Sequence, residues 1–105
     1  MAWIYLILAG LFEIGWPVGL KMSQAPETRL AGIGLAIGFM SMSGFLLWLA
    51  QREIPIGTAY AVWTGIGAAG TLFVGILFYG DPASMARYLG VGLIIAGVVT
   101  LKMAH

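Results

Sequence analysis

Glu13 is the residue whose chemistry is most unusual for its surroundings. It is the only charged side chain between Ala2 and Leu20, in an apolar segment about long enough to cross a bilayer. Ionisable groups at membrane depth usually face a bundle interior or a water-filled path, where they bind ions or substrates. Burial favours the neutral form of a carboxyl group, whereas a bound cation favours the ionised form. We therefore expect a proton and a cation to compete for Glu13.

The helical neighbours of Glu13 suit an organic cation. Gly10, Trp16 and Pro17 would share its face of a helix. Gly10 leaves space, and Trp16 offers an aromatic face that attracts cations as well as an N–H donor. Pro17 has no amide hydrogen, so the Glu13 carbonyl loses its partner four residues on and becomes a free acceptor.

Three further polar or aromatic residues are candidates for the same site. Tyr60 and Trp63 are three residues apart and would lie on one helical face. Each alone is more typical of a packed core or an interface belt, but together with a buried acid they favour a cation site. Ser43 is one of few hydroxyl groups expected at membrane depth.

The composition indicates the elements that position these residues. The chain is 61% hydrophobic and 9% charged, whereas a soluble domain carries about 25% charged residues. The uncharged runs are apolar throughout rather than alternating, which favours helices over a β-barrel. We predict an all-α membrane protein with a single domain spanning residues 1–105 and four transmembrane helices, at about 2–22, 30–50, 55–79 and 83–102. The first run lacks a basic flank and a cleavage pattern, so it is predicted to be retained.

Several function classes are disfavoured. The chain has no cysteine, and its lone histidine, His105, is expected to be a frayed terminus rather than a metal ligand. A net charge of +1 gives no basic patch for nucleic acid. No nucleophile–base pair or metal cluster is visible, so we expect neither an enzyme nor a cofactor.

The stretch GIGAAG, residues 65–70, matches a dinucleotide-binding pattern but lies inside an apolar run without the required strand or acid. Clustered glycines permit a kink in a helix, so Gly65 and Gly67 are predicted to form a hinge in the third helix.

The distribution of basic residues gives almost no orientation signal. With four spans, one side of the membrane carries two basic residues and the other carries three: Arg52 and Lys102 against Lys21, Arg29 and Arg87. Loop charge normally sets orientation. The chain is therefore expected to insert both ways, and two oppositely oriented copies to pair. Four helices are also too few to enclose a polar path, which favours an oligomer independently.

Small residues at helical spacing mark helix contacts, because close backbone approach drives association in lipid. Gly34 and Gly38 form such a pair in the second helix. In the third helix, small residues recur every four positions: Gly57, Ala61, Gly65 and Ala69. Gly90 and Gly97 lie seven residues apart on one face of the fourth.

These motifs resemble, over the full length, the small multidrug resistance family of bacterial inner-membrane transporters. The resemblance rests on Glu13, the Leu20–Lys21 helix end, PIGTAYAVWTGIG at 55–67, and the Gly90 and Gly97 pair before Lys102. Gly10, Trp16 and WTGIGA at 63–68 are similar to the guanidinium-exporter subtype.

The resemblance implies an antiparallel dual-topology homodimer that exports guanidinium in exchange for protons. Glu13 of both subunits would share one cavity, and Ser43 would hydrogen-bond Glu13. The remaining roles follow the family pattern: Trp16, Tyr60 and Trp63 lining the pocket, Gly10 making room, and Gly90 and Gly97 at the dimer contact.

Two departures and several alternatives stay open. Pro17 replaces a residue that is usually small in this subtype, which is expected to alter the tolerance for substituted substrates. The first loop is one residue longer than in common members, which shifts helices 2 to 4 by one position. The substrate is guanidinium, a larger guanidinyl compound such as guanylurea, or a quaternary ammonium. A heterodimer partner, an anion channel and an accessory subunit are further alternatives, although the last two leave a mid-membrane acid without basic partners unexplained.

Overall fold

The computed structural model describes residues 1–104, which form four long helices with short connections. The helices are α1 (Ala2–Met22), α2 (Arg29–Ala50), α3 (Ile56–Phe78) and α4 (Met85–Ala104), and a 3₁₀ turn at Pro26–Thr28 precedes α2. No strand occurs within residues 1–104. The predicted all-α fold with four helices is confirmed. The expectation for His105 lies outside the described residues.

All four helices are long and apolar enough to cross a membrane. The longest has 23 residues and the shortest 20, so they extend about 30–35 Å, which matches the hydrocarbon thickness of a bilayer. Large apolar side chains remain on their outer surfaces; Leu30 is 86% exposed and Phe78 76%. Lipid is the natural solvent for such a surface.

Helix α1 is the centre of the packing. It contacts both α2 and α3, whereas α4 packs mainly against α3. Leu6 of α1 and Val62 of α3 are fully buried in the core. At its other end α1 crosses α2 closely, because a methyl group placed on Gly32 would lie 2.5 Å from the Gly19 carbonyl oxygen.

The chain forms a thin layer rather than a closed bundle. Its Cα extents are 44 × 34 × 17 Å, and one helix with its side chains is already about 10–12 Å across. Helices α1 and α3 run in the same direction, and the Lys102 Nζ lies 5.4 Å from the Trp3 ring centroid, so the start of α1 and the end of α4 share one face. A layer this thin leaves the polar groups of α1 beside an open surface.

The connection before α4 is longer than predicted. Helix α4 begins at Met85 rather than at residue 83. Gly80 has a φ of 70°, a conformation that other residues rarely adopt. The amide of Asp81 donates to the Gly75 carbonyl over 3.0 Å, so the chain folds back over the end of α3 before it enters α4.

Candidate functional site

Glu13 lies midway along α1 on the face that meets α3. The buried side of α1 includes Ala2, Leu6 and Ala9, and Glu13 continues this stripe at helical spacing. Opposite it is Gly67 of α3. A methyl group on Gly67 would lie 2.5 Å from the Glu13 Cγ, so the bare backbone there makes room for the glutamate side chain.

The Glu13 side chain borders a groove between α1 and α3. The groove has a volume of about 280 Å³ and is lined by Glu13, Pro17, Thr64, Gly67, Ala68 and Thr71. One water needs about 10–15 Å³ by this measure, so a small cation fits with room for water. Within residues 1–104 the Glu13 carboxylate has neither a hydrogen bond nor an ion pair. Its oxygens are thus available to a proton or a cation.

The predicted residues Ser43, Tyr60 and Trp63 form a connected group, and none of them is among the residues that line this groove in the single chain. The Trp63 Nε1 donates to the Ser43 Oγ over 2.8 Å, and the Ser43 hydroxyl donates to the Ala9 carbonyl over 2.7 Å. The Tyr60 and Trp63 ring centroids are 5.6 Å apart at a tilt of 57°. This hydrogen-bonded chain joins α3 to α1 through α2. It fixes the indole one turn before Gly67, the residue that faces Glu13.

The expected hydrogen bond from Ser43 to Glu13 is not formed in the single chain. The one hydroxyl hydrogen of Ser43 goes to Ala9, and the side chain is fully buried. Ala9 precedes Glu13 by four residues, so its carbonyl points along the axis toward the glutamate turn. Ser43 therefore meets the backbone of the Glu13 helix rather than the carboxylate.

Trp16 and Gly10 do not line the Glu13 groove in the single chain, and their roles in a shared cavity stay predictions. Trp16 lines a separate groove against α2, together with Leu20, Ile33, Ala36, Ile37 and Met40. Viewed along the axis of α1, a residue three positions after Glu13 is rotated from it by about −60°, and a residue four positions after it by about +40°. Trp16 thus turns toward α2 and Pro17 toward α3. A methyl on Gly10 would lie 2.7 Å from the Ile66 Cβ, so the space beside Gly10 is filled by helix packing.

The two predicted hinge glycines are packing positions within an unbroken helix. Helix α3 continues through both of them. A methyl on Gly65 would lie 2.7 Å from the Val98 Cγ2 of α4, while Gly67 faces Glu13. The hinge stays a prediction.

The two glycines predicted for the dimer contact have open space beside them. A methyl on Gly90 or Gly97 meets nothing within 4 Å in the single chain. The same holds for Gly34 and Gly38 of α2. These faces are free to receive another helix, and the dimer contact stays a prediction.

Thr64 and Thr71 line the Glu13 groove, and neither was among the predicted site residues. Their spacing could have identified them, because with Gly67 between them they follow the i, i+3, i+7 pattern of one helical face. Within residues 1–104 no group of three potential metal ligands occurs. The groove thus combines one carboxylate with hydroxyl groups.

A family model and several similar proteins agree on the family to which this chain is related. A family model described as "Small Multidrug Resistance protein" matches residues 1–94. A protein of Yersinia pseudotuberculosis named "Guanidinium exporter" is 51% identical over 104 residues, covering 99% of each chain. Proteins of the same name from Citrobacter freundii and Salmonella typhimurium are 49% identical over 104 residues, covering 99% of this chain and 98% of theirs.

Proposed function

The chain belongs to the small multidrug resistance family, and we propose that it is a proton-coupled antiporter that exports guanidinium or small guanidinyl cations. It is a multi-pass protein of the bacterial inner membrane. The observation that carries the proposal is the unpaired Glu13 carboxylate, midway along a spanning helix and beside a groove large enough for a small cation. Relatives named as guanidinium exporters support the substrate class.

Guanidinium matches the chemistry of this groove. It is a planar cation whose N–H fork pairs with a carboxylate through two parallel hydrogen bonds. It keeps its charge at physiological pH, so it needs a carrier to cross a bilayer. The Thr64 hydroxyl, which also lines the groove, can accept a further N–H donor of the cation.

Proton coupling follows from competition for one carboxylate. Glu13 binds either a proton or the cation, and an unpaired charge at this depth is unfavourable. The site then crosses the membrane loaded with one or the other, which suffices for exchange. A ligand shifts the two access states only through its different affinity for them, so two states of nearly equal energy are needed.

A second, oppositely oriented copy provides two access states of equal energy. In an antiparallel homodimer the inward-open and outward-open states are the same structure with the subunits exchanged, so their energies are equal. The thin layer leaves Tyr60 58% exposed and Trp16 on an open groove. In the proposed dimer both line a shared cavity with Glu13 of each subunit, and Gly90 and Gly97 form the contact.

Transport currents from proteoliposomes test this function. We expect concentration jumps of guanidinium or guanylurea to drive currents in the wild type, and Glu13→Gln to abolish them. The matched control is Glu53→Gln, which removes an exposed carboxylate in the 51–55 connection. Tetramethylammonium separates the alternatives: a response to it without one to guanidinium would indicate a quaternary-ammonium exporter. Anion currents that survive Glu13→Gln would indicate a channel.

A further inference from the structure

The groove beside Glu13 continues toward one membrane face along matched positions of α1 and α3. Glu13 lies opposite Gly67, and four residues further on each helix Pro17 and Thr71 line the same groove. Pro17 and Thr71 also line an adjoining cavity of about 180 Å³, which reaches Lys21. From Glu13 to Lys21 the path rises about 12 Å. Pro17 and Thr71 therefore stand where a substrate longer than guanidinium would extend.

Thr71 has a hydroxyl group that the fold does not use. Thr64 donates to the Tyr60 carbonyl over 2.8 Å, and Thr100 donates to the Ala96 carbonyl over 2.7 Å. This bond to the preceding turn is the usual way to satisfy a threonine inside a helix. Within residues 1–104 Thr71 makes no hydrogen bond, although it also lies inside a helix. Its hydroxyl is available to a molecule in the groove.

Pro17 deprives a second polar group, the Glu13 carbonyl, of its usual hydrogen-bond donor. Helix α1 continues through Pro17, which has no N–H to donate to the Glu13 carbonyl. In a membrane an unpaired carbonyl is strongly unfavourable unless a side chain, water or ligand pairs with it. Glu13 and Thr71 both line the groove. The Glu13 carbonyl, which lacks its usual amide donor, and the Thr71 hydroxyl therefore belong to residues of one site.

We propose that Thr71 and the Glu13 carbonyl form a subsite for the polar substituent of a substituted guanidinium. This inference rests on the proposed function. The charged guanidinium group pairs with the Glu13 carboxylate, and its substituent lies toward Pro17. A substituent with both donors and acceptors, such as the urea group of guanylurea, donates to the free carbonyl and exchanges a hydrogen bond with Thr71. Guanidinium itself is too short to gain these contacts, and an alkyl substituent gains neither.

Transport measurements with three substrates test the subsite. Half-saturating concentrations of guanidinium, guanylurea and ethylguanidinium are measured for wild type and Thr71→Val, which keeps the side-chain shape but removes the hydroxyl. Loss of one hydrogen bond is expected to weaken guanylurea about three- to tenfold and to leave the other two nearly unchanged. Thr100→Val is the control, because its hydroxyl is bonded within α4, away from the groove.

Two companion variants keep the test decisive. Thr71→Ser retains the hydroxyl and is expected to retain the preference for guanylurea, even where Thr71→Val is poorly folded. Pro17→Ala restores an amide donor for the Glu13 carbonyl and is expected to lower the preference in the same direction. Equal shifts for all three substrates, or no shift, would overturn the subsite while leaving guanidinium export intact. A wild type that moves no guanidinyl cation would instead overturn the proposed function.

Discussion

The Glu13 carboxylate depends on a residue without a side chain. Gly67 provides the space in which the glutamate lies, because any β-carbon at position 67 would overlap the Glu13 Cγ. Gly67 and Glu13 therefore act as one unit in the site.

The first prediction concerns Gly67→Ala. The added methyl pushes the Glu13 side chain away from α3, and overpacking of this kind costs about 1–3 kcal/mol. Guanidinium binding, measured by calorimetry in detergent, is expected to weaken about ten- to hundredfold. Gly44→Ala is the control, since that position has open space. Unchanged affinity in Gly67→Ala would show that this pair does not shape the site.

The second prediction concerns Ser43→Ala. The change leaves the Trp63 indole N–H without its acceptor and removes the hydroxyl that donates to the Ala9 carbonyl. Unsatisfied buried groups cost about 1–3 kcal/mol, so the free energy of unfolding in mixed micelles is expected to fall by about that amount. Ser41→Ala, which removes an exposed hydroxyl from the same helix, should have little effect. Equal stability of both variants would contradict the structural role of Ser43.

The sequence predicted which residues have functional groups, but it predicted less well which neighbours those residues contact. Glu13 is evident as a charge in an apolar run, and the Tyr60 and Trp63 pair follows from helical spacing. That Trp16 faces α2 and Pro17 faces α3 depends on where the neighbouring helices lie, which a single helix does not encode. The use of Ser43 for the Ala9 carbonyl likewise depends on the α1–α2 crossing.

At the level of elements, the closest approach is the crossing of α1 and α2. A methyl on Gly19 would lie 2.7 Å from the Ala36 amide nitrogen and from the Gly32 carbonyl oxygen. These obstacles are backbone atoms, which cannot rotate away. The two glycines thus set the distance between the helices.

The third prediction follows from this crossing. Gly32→Ala is expected to separate α1 from α2 and to lower the free energy of unfolding by about 1–3 kcal/mol, in mixed micelles. Gly44→Ala in the same helix is again the control. A stabilised Gly32→Ala, as expected from helix propensity alone, would show that the helices do not meet there.

The helices were predictable because uncharged runs of this length have few other structures in lipid. Their ends were less so. The fourth helix was predicted to begin at about residue 83, but Gly80 turns the chain back over α3 and the helix starts at Met85. That turn is fixed by a hydrogen bond between Asp81 and Gly75, which no local pattern reveals.

At the level of the whole molecule, a single chain does not enclose a substrate cavity. It is 17 Å thick, and its groove and glycine faces are open. The proposed antiparallel dimer completes the cavity, and the near balance of basic residues between the two sides provides no strong orientation signal.

The fourth prediction concerns orientation. The chain contains no cysteine, so single-cysteine variants report one position without background. Gln24→Cys, in the exposed first connection, is expected to react with a membrane-impermeant maleimide from both sides in comparable amounts. Labelling from one side only would rule out dual topology.

The fifth prediction tests the central claim, that proton and guanidinium exchange at Glu13. Proteoliposomes containing a pH-sensitive dye receive an imposed guanidinium gradient, and proton movement is recorded. We expect protons to move opposite to guanidinium, the exchange to vanish in Glu13→Gln, and Glu27→Gln to behave like the wild type. Guanidinium flux without proton movement, or coupled exchange that persists in Glu13→Gln, would contradict the account.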